Sequence, residues 1–308
     1  MAKKKSRARN PKMLISLIAG AIVLIVGALD YFGIISLTEK QAEISVNPAC
    51  ADANDTVNFI DVGQGNCTLV KSGDSAMLID AGEVDKGKDV VSYLKALRIR
   101  RLDYIIISHQ HTDHMGGVIE VINSDIEVGK IIMPKIPEKL TPTSYTYTKL
   151  LNEIKNEGLS VRAARDEEFY IGSIKVNTYA MEGDYSNLNN YSVVTKLTAN
   201  AGSFIIMGDL EKTAEKELLN KNFDFAADVI LVGHHGSSSS SSDSLLKRVN
   251  PSCAVISVGT GNKYGHPNDS AIKRIKNYTD KIYRTDLNGN IVFDCDNKEL
   301  RLSIDKDD

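Results

Sequence analysis

A chain of 308 residues, 42% hydrophobic with 22 glycines and 7 prolines, is long enough to bury a large core and too apolar to be mostly disordered. The net charge of −3 conceals a split. The first twelve residues, MAKKKSRARNPK, carry six Lys/Arg and no acid, leaving 31 basic against 40 acidic side chains, net −9, in the remainder. That balance lacks the general basic footprint of a duplex-DNA binder, and no internal repeat is present.

The basic head, residues 1–12, runs into an apolar stretch at 13–37 whose only charge is Asp30. As a helix, Met13–Leu29 spans about 25 Å and the run to Leu37 about 37 Å, matching a bilayer core of about 30 Å. The expectation is one transmembrane signal anchor, with the basic tail in the cytoplasm and everything downstream outside the cell. Tyr31 and Phe32 stand where interfacial aromatics belong. A cleaved signal peptide is the rival reading, but its apolar core is normally shorter and no small-x-small site follows promptly. A buried core helix is a third reading. Residues 38–55 have no sustained apolar period and read as a linker.

From residue 56 to 308, short apolar runs alternate with helical patterns and no polar linker intervenes, so one α/β domain is expected. TVNFIDV and CTLV flank GQGN, as in a hairpin or tight connection. SAMLIDAG is a strand ending on an acid, KDVVSYLKAL has helical spacing, and LDYIIIS is an interior strand. Further strands are expected at 192–197, 203–207, 228–232, 253–257, 281–284 and 290–294, and helices at 145–157, 211–220, 243–249 and 269–277. LRIRR, before the strand at 103–107, reads as a solvated basic face at the end away from any site. Of four cysteines, Cys50, Cys67, Cys253 and Cys295, none has metal-site spacing; Cys67 and Cys253 fall in apolar runs and read as buried thiols.

All six histidines fall in three motifs: SHQHTDH (His109, His111, His114), GHHG (His234, His235) and YGHP (His266). His109 and His111, two apart on an extended segment, point the same way. Asp113 and His114 follow as the chain turns, giving two half-sites suited to borderline divalent ions. Two ions sharing a site need a bridging anion. Asp209 ends the apolar strand of FIIMGDLE and can supply it, its competing reading being the N-cap of the helix at 211–220.

In this order, FIDVGQGN, LIDAG, SHQHTDHMGG, MGDL, GHHGS and NKYGHP resemble the metallo-β-lactamase superfamily, and within it the extracellular hydrolase domain of ComEC-family competence proteins. The resemblance covers nearly everything after residue 56 and implies an αββα sandwich with metals at one edge. By position it implies His109, His111, Asp113, His114, Asp209 and His234 as ligands to one or two divalent ions, Zn²⁺ or alternatively Mn²⁺. Asp80 would accept from a ligand imidazole and orient it; Asp61 and Gln64 would line the mouth. Asp113, His235 and His266 take the catalytic roles, the two histidines facing the substrate's leaving side. No histidine occurs between 115 and 208, where many two-metal relatives supply a ligand, and Asn190 in DYSNLNNYSVV stands in that region.

The implied activity is metal-assisted hydrolysis of a phosphodiester, DNA being one candidate. Another extracellular ester, such as a phosphorylated wall polymer or a choline-bearing one, is the alternative, and a non-catalytic binding module with a degenerate site a third. One anchor helix cannot form the multi-span channel of full competence proteins. In GHHGSSSSSSDSLL, Ser237 belongs to the family-like HHGS, and the following serines are expected to form a mobile polar rim of the cleft. Ser242 or Asp243 would cap a helix that turns Leu245, Leu246 and Val249 inward.

Overall fold

The structure, a computed structural model, describes residues 53–306. The basic tail, the anchor expected at 13–37, Cys50 and nearly all of the linker lie outside the described residues. Among those described, no helix is long and apolar enough to cross a membrane.

The strands are β1 (Asp55–Phe59), β2 (Thr68–Ser72), β3 (Ser75–Ile79), β4 (Arg101–Ile106), β5 (Glu127–Met133), β6 (Ser160–Ala163), β7 (Glu167–Ile171), β8 (Ile174–Tyr179), β9 (Val194–Thr198), β10 (Ser203–Ile206), β11 (Val229–Leu231), β12 (Cys253–Ile256), β13 (Ile282–Arg284), β14 (Ile291–Asp294) and β15 (Arg301–Ile304). The helices are α1 (Gly87–Ala96), α2 (Thr112–Met115), α3 (Val118–Ile122), α4 (Tyr145–Asn156), α5 (Lys212–Asn220), α6 (Asp243–Val249), α7 (Asp269–Ile275) and α8 (Thr285–Asn288). One sheet runs β15-β14-β1-β2-β3-β4-β5-β6 and the other β13-β12-β11-β10-β9-β8-β7. The elements expected from apolar runs are present within a few residues. Apart from α4 and the turn into α2, the elements between β4 and β9 were not expected, nor were α8 and β15; strands such as SVRA and EEFYI mix charged with apolar residues at the sheet margins.

The two sheets pack face to face. Val57, Phe59, Met77, Ile79 and Ile106 from one meet Val176, Leu197, Phe204, Ile206 and Val255 from the other in a single buried cluster. Phe59, Phe204 and Phe293 are mutually in contact, with ring centroids 5.4–6.4 Å apart. Alternation turns the intervening residues outward. Ile205, Ile230 and Ala254 pack beneath Ala214 and Leu218 of α5, Leu245 and Leu246 of α6, and Ile275 of α7. On the other outer face, Tyr93 of α1 reaches over β1 and donates to buried Asn58 at 3.2 Å. The result is the expected α/β sandwich of two sheets.

Strands β3 to β6 run parallel, as do β10 to β13. Their carboxyl ends therefore share one edge, where Asp80 follows β3, His109 follows β4, Asp209 follows β10, and His234 and His235 follow β11. The basic LRIRR segment enters β4 from its amino end, and Arg101 pairs there with Asp103 and Glu127. Cys67, Cys253 and Cys295 are buried free thiols.

Candidate metal centre

Asp80 is held at φ 59°, a left-handed conformation that turns its carboxylate back under the β4 end. Its oxygens accept from the Ser108 amide and the Ser108 hydroxyl, both at 2.7 Å, and from His114 Nδ1 at 2.8 Å. That contact leaves His114 Nε2 facing the centre of the edge. Likewise His235 Nδ1 donates to the Ser257 carbonyl at 2.9 Å, leaving its Nε2 to face inward.

Asp209 stands between the histidine motifs, its amide donating to Ser192 Oγ at 3.0 Å. The residue at the N-cap of α5 is Glu211, so Asp209 is free of the competing capping role. Its two oxygens look in different directions. Oδ2 lies 3.8 Å from His109 Nε2 and 3.7 Å from His234 Nε2. Oδ1 lies 3.2 Å from His114 Nε2 and 3.6 Å from His235 Nε2. Asp113 joins this second side, its Oδ2 3.3 Å from His235 Nε2 and 3.9 Å from His114 Nε2. His111 stays beside His109, with Nδ1 3.0 Å from His109 Nε2.

Two sets of donor atoms, His109–His114–Asp209 and Asp113–His114–His235, each lie within 4.8 Å of one another and can hold a metal ion. The fit is tested by what these atoms lack: His114 Nε2, His235 Nε2 and Asp209 Oδ1 are buried and make no hydrogen bond. Buried polar atoms are seldom left so without a ligand or ordered water to satisfy them. Three orphaned lone-pair donors converging on one point suit a divalent cation.

The electrostatics agree. Burial pushes His109 well below the ordinary imidazole range and also lowers His111. Burial opposes charge on His114 as well, but Asp209, Asp80 and Asp113 outweigh it and hold that ring well above its usual value. His235 is raised despite burial, by Asp209 and Asp113. Burial would raise Asp209 and Asp113, yet the surrounding imidazoles hold both carboxyls well below their usual range. Such a cage of buried carboxylates demands positive charge, which protons supply when nothing else does.

A cleft of about 370 Å³ opens onto the centre and is lined by Gln64, His111, Asp113, Asp209, His234, His235 and His266, together with Glu83, Thr112, Asn189 and Tyr264. The last four were not read from the sequence; Glu83 directly follows LIDAG and Asn189 directly precedes Asn190, so adjacency to motifs was the available signal. Asp61 stands behind the mouth: its Oδ1 accepts from the Gly63 amide at 3.0 Å, in the turn that presents Gln64. Asn190 turns away toward Glu211, whose amide it accepts at 3.2 Å. His266 lies at the cleft wall with its pKa lowered to about 4 by burial and by His234 and His235.

The serines do not line the cleft. Ser237, Ser240 and Ser241 are buried. Arg274 of α7 donates to the Ser241 and Ser240 carbonyls, both at 2.7 Å, and Lys212 donates to the Ser238 carbonyl at 2.7 Å. Ser241 Oγ accepts from the Gly233 amide at 3.1 Å, and Ser242 caps α6 through Leu245 N. Side chains distant in sequence satisfy its carbonyls, and Ser237 and Ser242 hydroxyls brace its own turns, so the run is a structural strap beneath the histidine pair.

"ComE operon protein 3" of Bacillus subtilis is 28% identical over 277 residues, covering 83% of this chain and 35% of that protein. "Competence protein ComA" of Neisseria gonorrhoeae is 30% identical over 256 residues, covering 81% of this chain and 34% of the relative. The chain thus spans about a third of the length of these ComEC-family competence proteins. Among solved structures, CmlA, a diiron beta-hydroxylase from Streptomyces venezuelae, shares the fold at a TM-score of 0.52 and 13% identity, covering 78% of this chain and 54% of that one. Residues 60–260 match the model of the metallo-beta-lactamase superfamily, and the chain belongs to that superfamily.

Proposed function

We propose that this chain is a metal-dependent hydrolase of phosphodiesters. The observation that carries the reading is Asp209, whose Oδ2 faces His109 and His234 and whose Oδ1 faces His114 and His235, while His114 Nε2, His235 Nε2 and Oδ1 itself make no hydrogen bond. Divalent ions held by His109, His111, His234 and one oxygen of Asp209, and by Asp113, His114, His235 and the other, would supply Lewis-acid polarisation and an acidified water, zinc and manganese both suiting these N/O donors. The protein's own part is orientation. Asp80 and the Ser257 carbonyl fix the His114 and His235 rings. His266, neutral near pH 7 and with a buried, unpartnered Nδ1, stands on the cleft wall where a leaving oxygen can be hydrogen-bonded. Gln64 and Asn189 supply further polar edges to the same cleft.

Competence in the name of the Neisseria gonorrhoeae relative favours nucleic acid as the polymer. The basic tail and the apolar run at 13–37 support anchoring in the cell membrane with the hydrolase outside. The net charge of −9 after residue 12 favours the second reading, another extracellular phosphoester, and disfavours tight duplex binding. Purified protein loaded with Zn²⁺ or Mn²⁺ is to be incubated with single-stranded DNA, duplex DNA and bis-p-nitrophenyl phosphate. The phosphodiesterase reading expects cleavage of the small diester, with loss of at least ~10²-fold in His109→Ala. Cleavage of the small diester without any nucleic acid would move the assignment to the second reading; no cleavage of any of the three would sink both.

A further inference from the structure

The ring of His234 is held differently from those of His114 and His235. Its backbone is left-handed, at φ 53° and ψ 47°, and is fixed by its amide donating to the Gly208 carbonyl at 3.0 Å and its carbonyl accepting from Ser237 N at 2.8 Å. The backbone is set, but the ring still needs a partner at Nδ1 to keep Nε2 turned toward Asp209. His114 has a carboxylate there and His235 a carbonyl. Around His234 Nδ1 lie Asn189 Nδ2 at 3.4 Å, Ser239 Oγ at 3.5 Å and Glu211 Oε1 at 3.6 Å.

Glu211 is unusual for a residue at a helix start. It is the N-cap of α5, yet its side chain makes no capping hydrogen bond. Its carboxylate is turned the other way. Oε1 accepts from Ser239 Oγ at 2.9 Å, and Oε2 accepts from Asn187 Nδ2 at 2.9 Å and from Asn190 Nδ2 at 3.4 Å. Asn190 Oδ1 returns the contact by accepting from the Glu211 amide. One carboxylate therefore ties together the asparagine segment, the end of β10 and the serine strap, and all three meet at one face of one imidazole.

We propose that Glu211 is a positioning residue for the metal centre. It ends a relay in which His234 Nδ1–H donates to Ser239 Oγ at 3.5 Å and that hydroxyl donates to Glu211 Oε1, itself 3.6 Å from Nδ1, so that Nε2 keeps its lone pair and its aim at the Asp209 Oδ2 side. A hydroxyl that donates to a carboxylate keeps lone pairs free to accept, so Ser239 relays the contact without a change of charge. The asparagine-rich segment has its own part in this arrangement: Asn187 and Asn190 hold the carboxylate that faces His234. The inference rests on the metal-centre reading above.

The test is Co²⁺ binding to the full-length protein, followed by chelator competition, by the visible absorption of the bound ion and by the melting temperature of the metal-free form. Four proteins are compared: wild type, Glu211→Gln, His234→Ala and the double variant. Loss of a group that orients a metal-binding imidazole weakens affinity by roughly 10–100-fold. Glu211→Gln is expected to show that loss and a changed Co²⁺ absorption, and to add less than about two-fold in the His234→Ala background, since acting through one ring makes the effects non-additive. Ser239→Ala, which keeps the backbone strap, is expected to move affinity in the same direction and decides the matter if Glu211→Gln does not fold. Unchanged affinity in both single variants would overturn the proposal. So would an equal further loss in the double variant, because Glu211 would then act on the fold and not through His234. Wild type that binds no Co²⁺ would sink the metal-centre reading itself and this inference with it.

Discussion

Asp80 carries three polar contacts on two oxygens in a fully buried position. The left-handed backbone costs of order 1–3 kcal/mol for a non-glycine residue, offset here by charge-assisted hydrogen bonds. In Asp80→Asn the amide group must face either the Ser108 amide or His114 Nδ1, so at least one donor loses its acceptor. The expected result is a metal affinity reduced by roughly 10–100-fold, measured by chelator competition; an affinity within about two-fold of wild type would show that Asp80 does not orient the ring. Gly65 is another residue whose identity the site dictates. At φ 143°, a Cβ there would lie 2.3 Å from the Asp113 carbonyl oxygen, which the neighbouring Asn66 amide meets at 3.2 Å.

Helix α5 joins the site edge to the loop at 182–185 through a carboxylate. Glu217 accepts from the amides of Glu182 at 2.8 Å and Gly183 at 2.9 Å, and from Tyr185 Oη at 2.6 Å. Burial pushes this carboxyl up, but the hydrogen bonds from Tyr185 and the two amides outweigh it and leave the pKa lowered. A folded value below the unfolded one means the contribution is fully present above the unfolded glutamate value of about 4.3 and is lost as pH falls through the folded one. Urea denaturation of wild type and Glu217→Gln across pH 3 to 7 should therefore give a stability gap that is constant at higher pH and shrinks below about pH 4.3. A gap that widens on acidification would contradict the assignment. Alternating charge hides β6 and β7 from an apolar-run reading, and the serine strap misled it in the opposite direction. A polar run looks flexible in sequence, whereas Arg274 and Lys212, distant in the chain, satisfy its carbonyls.

On the scale of the molecule, the site exists only because two sheets are held face to face. Asp80, His109 and His114 come from one sheet's edge and Asp209, His234 and His235 from the other's. Phe59, with no exposed surface, packs across that gap against Phe204. Phe59→Ala is expected to cost about 3–5 kcal/mol in urea denaturation. It should also weaken Co²⁺ binding, because a shift between the sheets separates the two halves of the donor set. Loss of stability with metal affinity fully retained would show that the edge loops, rather than the sheet packing, hold the halves together.

The information legible in the residues alone is local. Apolar runs place strands, a Gly-rich turn places the first hairpin, and six histidines in three motifs at strand ends mark where donors gather, because strand direction and ligand spacing are properties of a few consecutive residues. Which atom faces which was decided by the tertiary structure. His234 and His235 both adopt left-handed backbone, at φ 53°, so they do not alternate as an extended strand end would: one ring turns to Asp209 Oδ2 and the other joins Asp113 and His114. Asn189 rather than Asn190 enters the cleft for the same kind of reason, since both lie in a 3-10 turn and not on a strand. Backbone conformation at such turns is set by contacts from other elements, here the Gly208 carbonyl and the serine strap, and no short stretch of sequence carries that information.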